Sequence, residues 1–110
     1  MARRESENLR DMAIEYIRRI MKRRSTHGDN ALPEECLFVD IILQAMQDVA
    51  GIDACVRRHE REEAERFFND GRCEFLCELL SLNHDFILSL KNDLVSGKIA
   101  AKIKQHRKKV

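Results

Sequence analysis

The sequence predicts an all-α protein, a compact bundle of four to five helices. Only one proline and four glycines occur among 110 residues, which are too few turn-forming residues for a fold of many short strands. Apolar residues recur at spacings of three and four over long stretches, as they do along one face of a helix. Hydrophobic residues make up 44% and charged residues 35%, which is typical of a charge-rich globular domain. We predict one helical domain over residues 1–96 and a basic tail over 97–110, either a helical extension or frayed.

The first two predicted helices supply most of the apolar residues of the N-terminal half. The first runs from about Ser6 to Arg24, with one apolar stripe between Leu9 and Met21. The second runs from Pro33, a favoured first helical residue, to about Val49. Its polar residues fall on one narrow stripe, so we expect neighbours on most of its sides and a central position in the bundle.

Three further helices are predicted after Gly51. Asp53 is a candidate N-cap for a third helix that extends to about Asn69, with a charged middle that suits a solvated face. An Asp-Gly pair then turns the chain. Two short helices follow, Arg72–Leu80 and His84–Val95, and Asn83 is the predicted cap of the second.

These two short helices have the outline of a helix-turn-helix. Apolar residues occupy the places where that motif locks its two helices together: Leu76, Leu80, Leu82, Ile87 and Leu90. Cys77 is small where the helices cross most closely, and Ser81 is small at the turn, where glycine is usual. A hairpin that serves only core packing is the alternative.

On this hypothesis the second helix would present a mixed surface to DNA. The positions expected to point outward are His84, Asp85, Leu88, Ser89 and Asn92. Ser89 and Asn92 can read base edges, whereas Asp85 would face a polyanion and Leu88 can contact only a methyl group. Binding strength would therefore have to come from phosphate contacts elsewhere in the chain.

The same region resembles a known sequence pattern. Small phage and prophage proteins often contain a segment of the form EA..FF....FEFLCELLGLDP, preceded by an apolar helix. Residues 63–68 (EAERFF) and 73–83 (CEFLCELLSLN) are similar to it, and the resemblance extends over about residues 37–94. This chain departs from the pattern at Ser81, where glycine is expected, and at Asn83-His84, where Asp-Pro is expected. The resemblance implies a small helical protein with a DNA-binding or regulatory role.

A net charge of +1 conceals a strong segregation of charge. Residues 1–24 have a net charge of +4, residues 25–96 of −9 and residues 97–110 of +6. We expect the two basic ends either to converge on one face and hold a nucleic-acid backbone, or to place one segment across the acidic face of residues 53–78. A solvated tail is the remaining alternative. The candidate nucleic-acid-binding residues are Arg18, Arg19, Lys22, Arg23, Arg24, Ser89, Asn92, Lys98, Lys102, Lys104, Arg107, Lys108 and Lys109.

These observations favour a phage-type DNA-associated regulatory protein whose partner is duplex DNA. The alternative is a protein–protein adaptor or an inhibitor of a host enzyme, acting through a charged or apolar surface and possibly as a homodimer. An exposed patch of Phe67, Phe68 and Phe86 would favour that alternative.

The sequence contains no signature of catalysis, so we predict no enzyme, no catalytic residues and no cofactor. It has no phosphate-binding glycine loop, no Gly-x-Ser-x-Gly and no His-Glu-x-x-His, although a carboxylate–metal site assembled from distant residues stays open. The four cysteines are predicted to be buried hydrophobic residues and no metal is expected; zinc bound with His59 or His84 is the alternative. No apolar run approaches a membrane span and no signal-peptide core follows the N-terminus, so a cytoplasmic location is expected.

Overall fold

The computed structural model describes residues 2–25, 27–51 and 57–108, with only the backbone described at 2–10, 29, 104 and 106–108. Over these residues the fold is all-α, as the sequence predicts. Within these ranges six helices follow one another: α1 (Ala2–Arg24), α2 (Pro33–Ala50), α3 (Arg58–Asn69), α4 (Arg72–Leu80), α5 (His84–Val95) and α6 (Lys98–Lys108). A single 3-10 turn, Gly28–Asn30, lies between α1 and α2. The bundle has one helix more than the expected maximum because the basic tail itself forms α6.

Local chemistry sets the limits of several helices where the sequence predicts them. Pro33 opens α2, and the Glu35 carboxylate accepts a hydrogen bond from the Leu32 backbone N–H at 3.4 Å. Gly51 ends α2 in the left-handed conformation at φ +66°. The Asn83 side chain caps α5 by accepting a hydrogen bond from the Phe86 backbone N–H at 3.1 Å.

The start of the third helix differs from the prediction. α3 begins at Arg58, because Arg57 has an extended backbone and Glu60 accepts a hydrogen bond from its N–H at 3.1 Å. The predicted cap Asp53 lies outside the described residues.

The centre of the bundle is α2, which packs against α1, α3, α4 and α5. Ile42, Leu43 and Met46 on its inner face are fully buried. The expectation that neighbours wrap most of its sides is wrong for the outer face, where Leu37 and Ile41 are exposed. These two residues lie one helical turn apart, so they form a narrow apolar strip directed away from the core.

The last helix completes the core. Ile99 of α6 is 2% exposed, and Ile103, one turn later, packs against the buried cluster. α6 contacts both α1 and α5. The two basic ends of the chain are therefore neighbours in the fold.

Candidate nucleic-acid interface

A groove of about 300 Å³ lies where α1, α5 and α6 meet. All three helices contribute residues to its walls: Tyr16, Ile20, Arg23, Arg24, Phe86, Ser89, Leu90, Asp93 and Lys102. Four of these, Arg23, Arg24, Ser89 and Lys102, are among the candidate residues named from the sequence. The docking of α6 on α1 brings cations from both basic segments to one site.

Helical spacing explains how α1 reaches the groove. Tyr16, Ile20 and Arg23 occupy successive turns of one side of the helix, so they line the groove together. Arg24 adjoins this side, and its guanidinium carbon lies 4.1 Å from the centre of the half-buried Phe86 ring. This cation–π contact holds Arg24 against α5.

The groove has a positive balance of charge. Arg23, Arg24 and Lys102 face one acidic residue, Asp93. Among the residues whose side chains are described, these three cations form no ion pair within 4.0 Å. Their charges are therefore available to an anionic ligand.

Of the remaining candidate cations, those whose side chains are described do not line the groove. Arg18 is ion-paired with Glu15 and with Asp40 of α2 (3.6 Å), and it lies outside the groove. Arg19 and Lys98 are exposed, and Lys22 is half-buried. The side chains of Lys104, Arg107 and Lys108, and the whole of Lys109, lie outside the described residues.

The outer face of α5 is narrower than expected. Asp85, Ser89 and Asn92 are exposed, as predicted. Leu88 instead packs partly against the core, and His84 is half-buried with its Nε2 atom inaccessible and without a hydrogen-bond partner. Helix geometry places both on the flank of α5 that turns towards the core, so neither belongs to an outward surface.

The α4–α5 hairpin is tightly packed around a left-handed turn. Leu80, Leu82, Ile87 and Leu90 are buried, and Leu76 is half-buried. At the turn Ser81 has φ +56°, and the Leu82 N–H donates a 2.8 Å hydrogen bond to the Cys77 carbonyl. Hairpins that bind DNA and hairpins that only pack in a core share this arrangement. The exposed face of α5 therefore has to distinguish the two.

Phe67, Phe68 and Phe86, whose exposure would favour a protein partner, do not form an exposed patch. Phe67 and Phe68 are buried, with ring centres 5.3 Å apart in an edge-to-face contact, and Phe86 is covered by Arg24. Burial of the two adjacent phenylalanines follows from their position in the last turns of α3, which faces α2 and α4. Exposed apolar area is found instead on α4, where Phe75 and Leu79 are 60% and 48% exposed.

Two of the cysteines form a buried pair. The Sγ atoms of Cys73 and Cys77 are 4.0 Å apart, and their hydrogen bond together with burial raises the pKa of Cys73. Cys36 is a half-buried free thiol, and Cys55 is outside the described residues. Within the described part of the chain, no three His, Cys, Asp or Glu residues are grouped closely enough to bind a metal ion.

No helix in the described ranges has both the length and the apolar character needed to cross a bilayer.

The sequence indicates the cations of the groove as candidates, but it does not predict the other wall residues: Tyr16, Ile20, Phe86, Leu90 and Asp93. The spacing of Tyr16, Ile20 and Arg23 indicates that they share one side of α1. The contribution of α5 to the groove depends on tertiary packing and has no such local pattern.

No protein-family model matches the chain, and no curated protein or solved structure matches it significantly.

Proposed function

We propose that this protein is a phage-type, DNA-associated regulatory protein that holds duplex DNA at the groove between α1, α5 and α6. The observation that supports this most directly is the meeting of Arg23, Arg24 and Lys102 beside the exposed Ser89 of α5. Cations from two distant segments lie together, and such a cluster is favourable when an anion binds between its members.

The position of the cations relative to α5 would allow the cations to bind phosphates while α5 contacts the bases. Phosphate contacts give affinity and fix orientation, whereas side chains at base edges give specificity. Ser89 and Asn92 are exposed on α5, and both types of side chain can form hydrogen bonds with bases. A phosphate held by Arg23 and Lys102 would place the duplex against this part of the helix.

Two acidic residues limit the surface that DNA can approach. Asp93 lies within the groove and offsets part of the charge of the three cations. Asp85 is exposed in the first turn of α5. Contact is therefore most favourable towards the middle of α5 and the side nearest α6.

Salt-dependent binding of duplex DNA tests the proposal. We expect binding of a short mixed-sequence duplex, measured by fluorescence anisotropy, to weaken steeply between about 50 and about 200 mM salt because counterions are released. Arg23→Gln and Lys102→Gln should each reduce the slope of log K against log salt by about one. Ser89→Ala and Asn92→Ala should alter sequence preference while leaving that slope unchanged.

Charge neutralisation is preferable to removal of residues 97–110, because Ile99 belongs to the core and its loss would disturb the fold. Arg58→Gln is the matched control, since Arg58 is an exposed cation on α3, which does not line the groove. The absence of binding at low salt, or an equal loss in the Arg58 variant, would count against the proposal.

A protein partner is the second candidate function, as an adaptor or as an inhibitor of an enzyme. Phe75 and Leu79 favour it, because two large apolar side chains one turn apart are exposed on α4. Light scattering after size exclusion measures self-association, and the double change Phe75→Ser and Leu79→Ser should abolish any dimer formed through this face. A stable dimer that survives both changes would remove this face from consideration.

A further inference from the structure

We propose that the groove between α1, α5 and α6 is also a binding site for a small anion with an aromatic or apolar body, such as an aryl phosphate or an aromatic carboxylate. The inference rests on two unlike kinds of side chain in the walls of the groove. Its walls combine four apolar or aromatic side chains, Tyr16, Ile20, Phe86 and Leu90, with the cations Arg23, Arg24 and Lys102.

The apolar side chains of the groove have no role in holding a phosphate backbone. A DNA strand presents charged oxygens and sugars to such a cleft, and these gain little from contact with Ile20 and Leu90. A ring or short apolar body, in contrast, is transferred from water to apolar surface when it enters. The volume of about 300 Å³ is at the lower end of the range for small-molecule sites.

The three cations of the groove are suited to one anionic group. Arg24 is already held over the Phe86 ring at 4.1 Å, so it loses little side-chain freedom when a ligand binds beside it. Arg23 and Lys102 add cations from two different helices. The carboxylate of Asp93 and the hydroxyl of Ser89 provide an acceptor and a donor for a polar substituent on the ligand.

Occupancy of the groove has a consequence for the proposed DNA binding. The small anion would engage the same three cations that are proposed to hold phosphate, so the two ligands would exclude each other. This consequence rests on the proposed function. The small-molecule site itself does not, because it depends only on the walls of the groove.

Four probes separate the contributions of charge and apolar surface: naphthyl phosphate, naphthoate, naphthol and inorganic phosphate. In titrations of the full chain followed by amide chemical shifts, naphthyl phosphate or naphthoate should bind at least about tenfold more tightly than naphthol or inorganic phosphate. A preference between the two anionic aryl probes identifies the favoured head group. The shifts should be concentrated at the groove residues of α1, α5 and α6.

Variants of one cation and of one aromatic wall residue complete the test. Lys102→Gln should weaken the anionic aryl probes at least about fivefold and leave naphthol unaffected, whereas Tyr16→Ser should weaken every aryl probe. Tyr16 is 41% exposed, so this change is compatible with folding. Arg58→Gln is again the control and should behave as the unmodified protein.

The inference is overturned if naphthol or inorganic phosphate binds as tightly as naphthyl phosphate, if the shifts lie elsewhere, or if no aryl anion binds. Competition with duplex DNA in the anisotropy assay is measured separately. DNA binding without any aryl-anion binding would refute this inference alone. Aryl-anion binding without DNA binding would refute the proposed function alone.

Discussion

Ser81 has a left-handed backbone at the turn between α4 and α5, a conformation that favours glycine. A left-handed residue with a β-carbon costs roughly 1–2 kcal/mol. The burial of Leu80 and Leu82 on either side fixes the turn and offsets this cost. The departure from glycine noted in the sequence is therefore a point of strain in the folded protein.

Ser81→Gly should raise the free energy of unfolding by about 0.5–1 kcal/mol, because relief of the left-handed strain exceeds the greater flexibility of glycine in the unfolded chain. Urea unfolding measures the change. Ser96→Gly is the control, since Ser96 ends α5 at φ −80° and should lose stability on the same substitution. Equal destabilisation by the two changes would contradict the account of the turn.

Asp85 provides a second prediction at the level of a single residue. If α5 lies against DNA, Asp85→Asn should tighten binding about fivefold, equivalent to the roughly 1 kcal/mol between two charges 4 Å apart in water. Anisotropy at low salt measures the change. An unchanged affinity would mean that DNA is held at the groove without close approach to the first turn of α5.

At the level of helices, the sequence predicts elements well wherever their ends have local causes. Pro33, Gly51 and Asn83 mark helix limits through backbone geometry or capping, and each functions as predicted. Burial was predicted less well. Leu88 packs inward and Ile41 outward, because the side of a helix that becomes buried depends on where its neighbours lie.

The composition of the groove likewise follows only in part from the sequence. Arg23 and Lys102 were candidates from charge alone, but nothing in the sequence joined them to Phe86 and Asp93. Their proximity results from the docking of α6 through Ile99, a buried residue within the basic tail. A partner helix that is distant in sequence decides which cations form a site.

Ile99→Ala should therefore destabilise the whole protein by about 2–4 kcal/mol, the usual cost of truncating a fully buried isoleucine. Thermal or urea unfolding measures this loss. Gln105→Ala lies on the same helix at an exposed position and should have little effect. A small loss at Ile99 would show that α6 contributes little to the core and that the groove is only loosely assembled.

At the level of the whole molecule, a nearly neutral protein has surfaces of opposite sign. The chain carries 20 basic and 19 acidic residues. Arg72 forms ion pairs with Glu63 and Asp70 within the acidic middle, whereas the three cations of the groove form no ion pair within 4.0 Å among the side chains that the structure describes. Association with charged surfaces then depends on local patches more than on the total charge.

Retention on a cation exchanger near neutral pH is the corresponding prediction. The protein should be retained despite its net charge of +1. The double change Arg23→Glu and Lys102→Glu should reduce the salt needed for elution more than Arg58→Glu with Arg66→Glu, although both double variants have the same net charge. Equal elution of the two would indicate that total charge alone governs retention.

The packing of α1 against α6 also affects when the core can form during synthesis of the chain. α1 ends at Arg24, whereas α6, which packs against it, begins only at Lys98. During synthesis, α1 emerges long before α6 exists, so the face of α1 that packs against α6 has no partner until α6 has been translated. Contacts between such distant segments slow folding relative to bundles built from local hairpins. The nascent chain should therefore expose apolar surface until late in translation, and completion of the core should coincide with the arrival of Ile99.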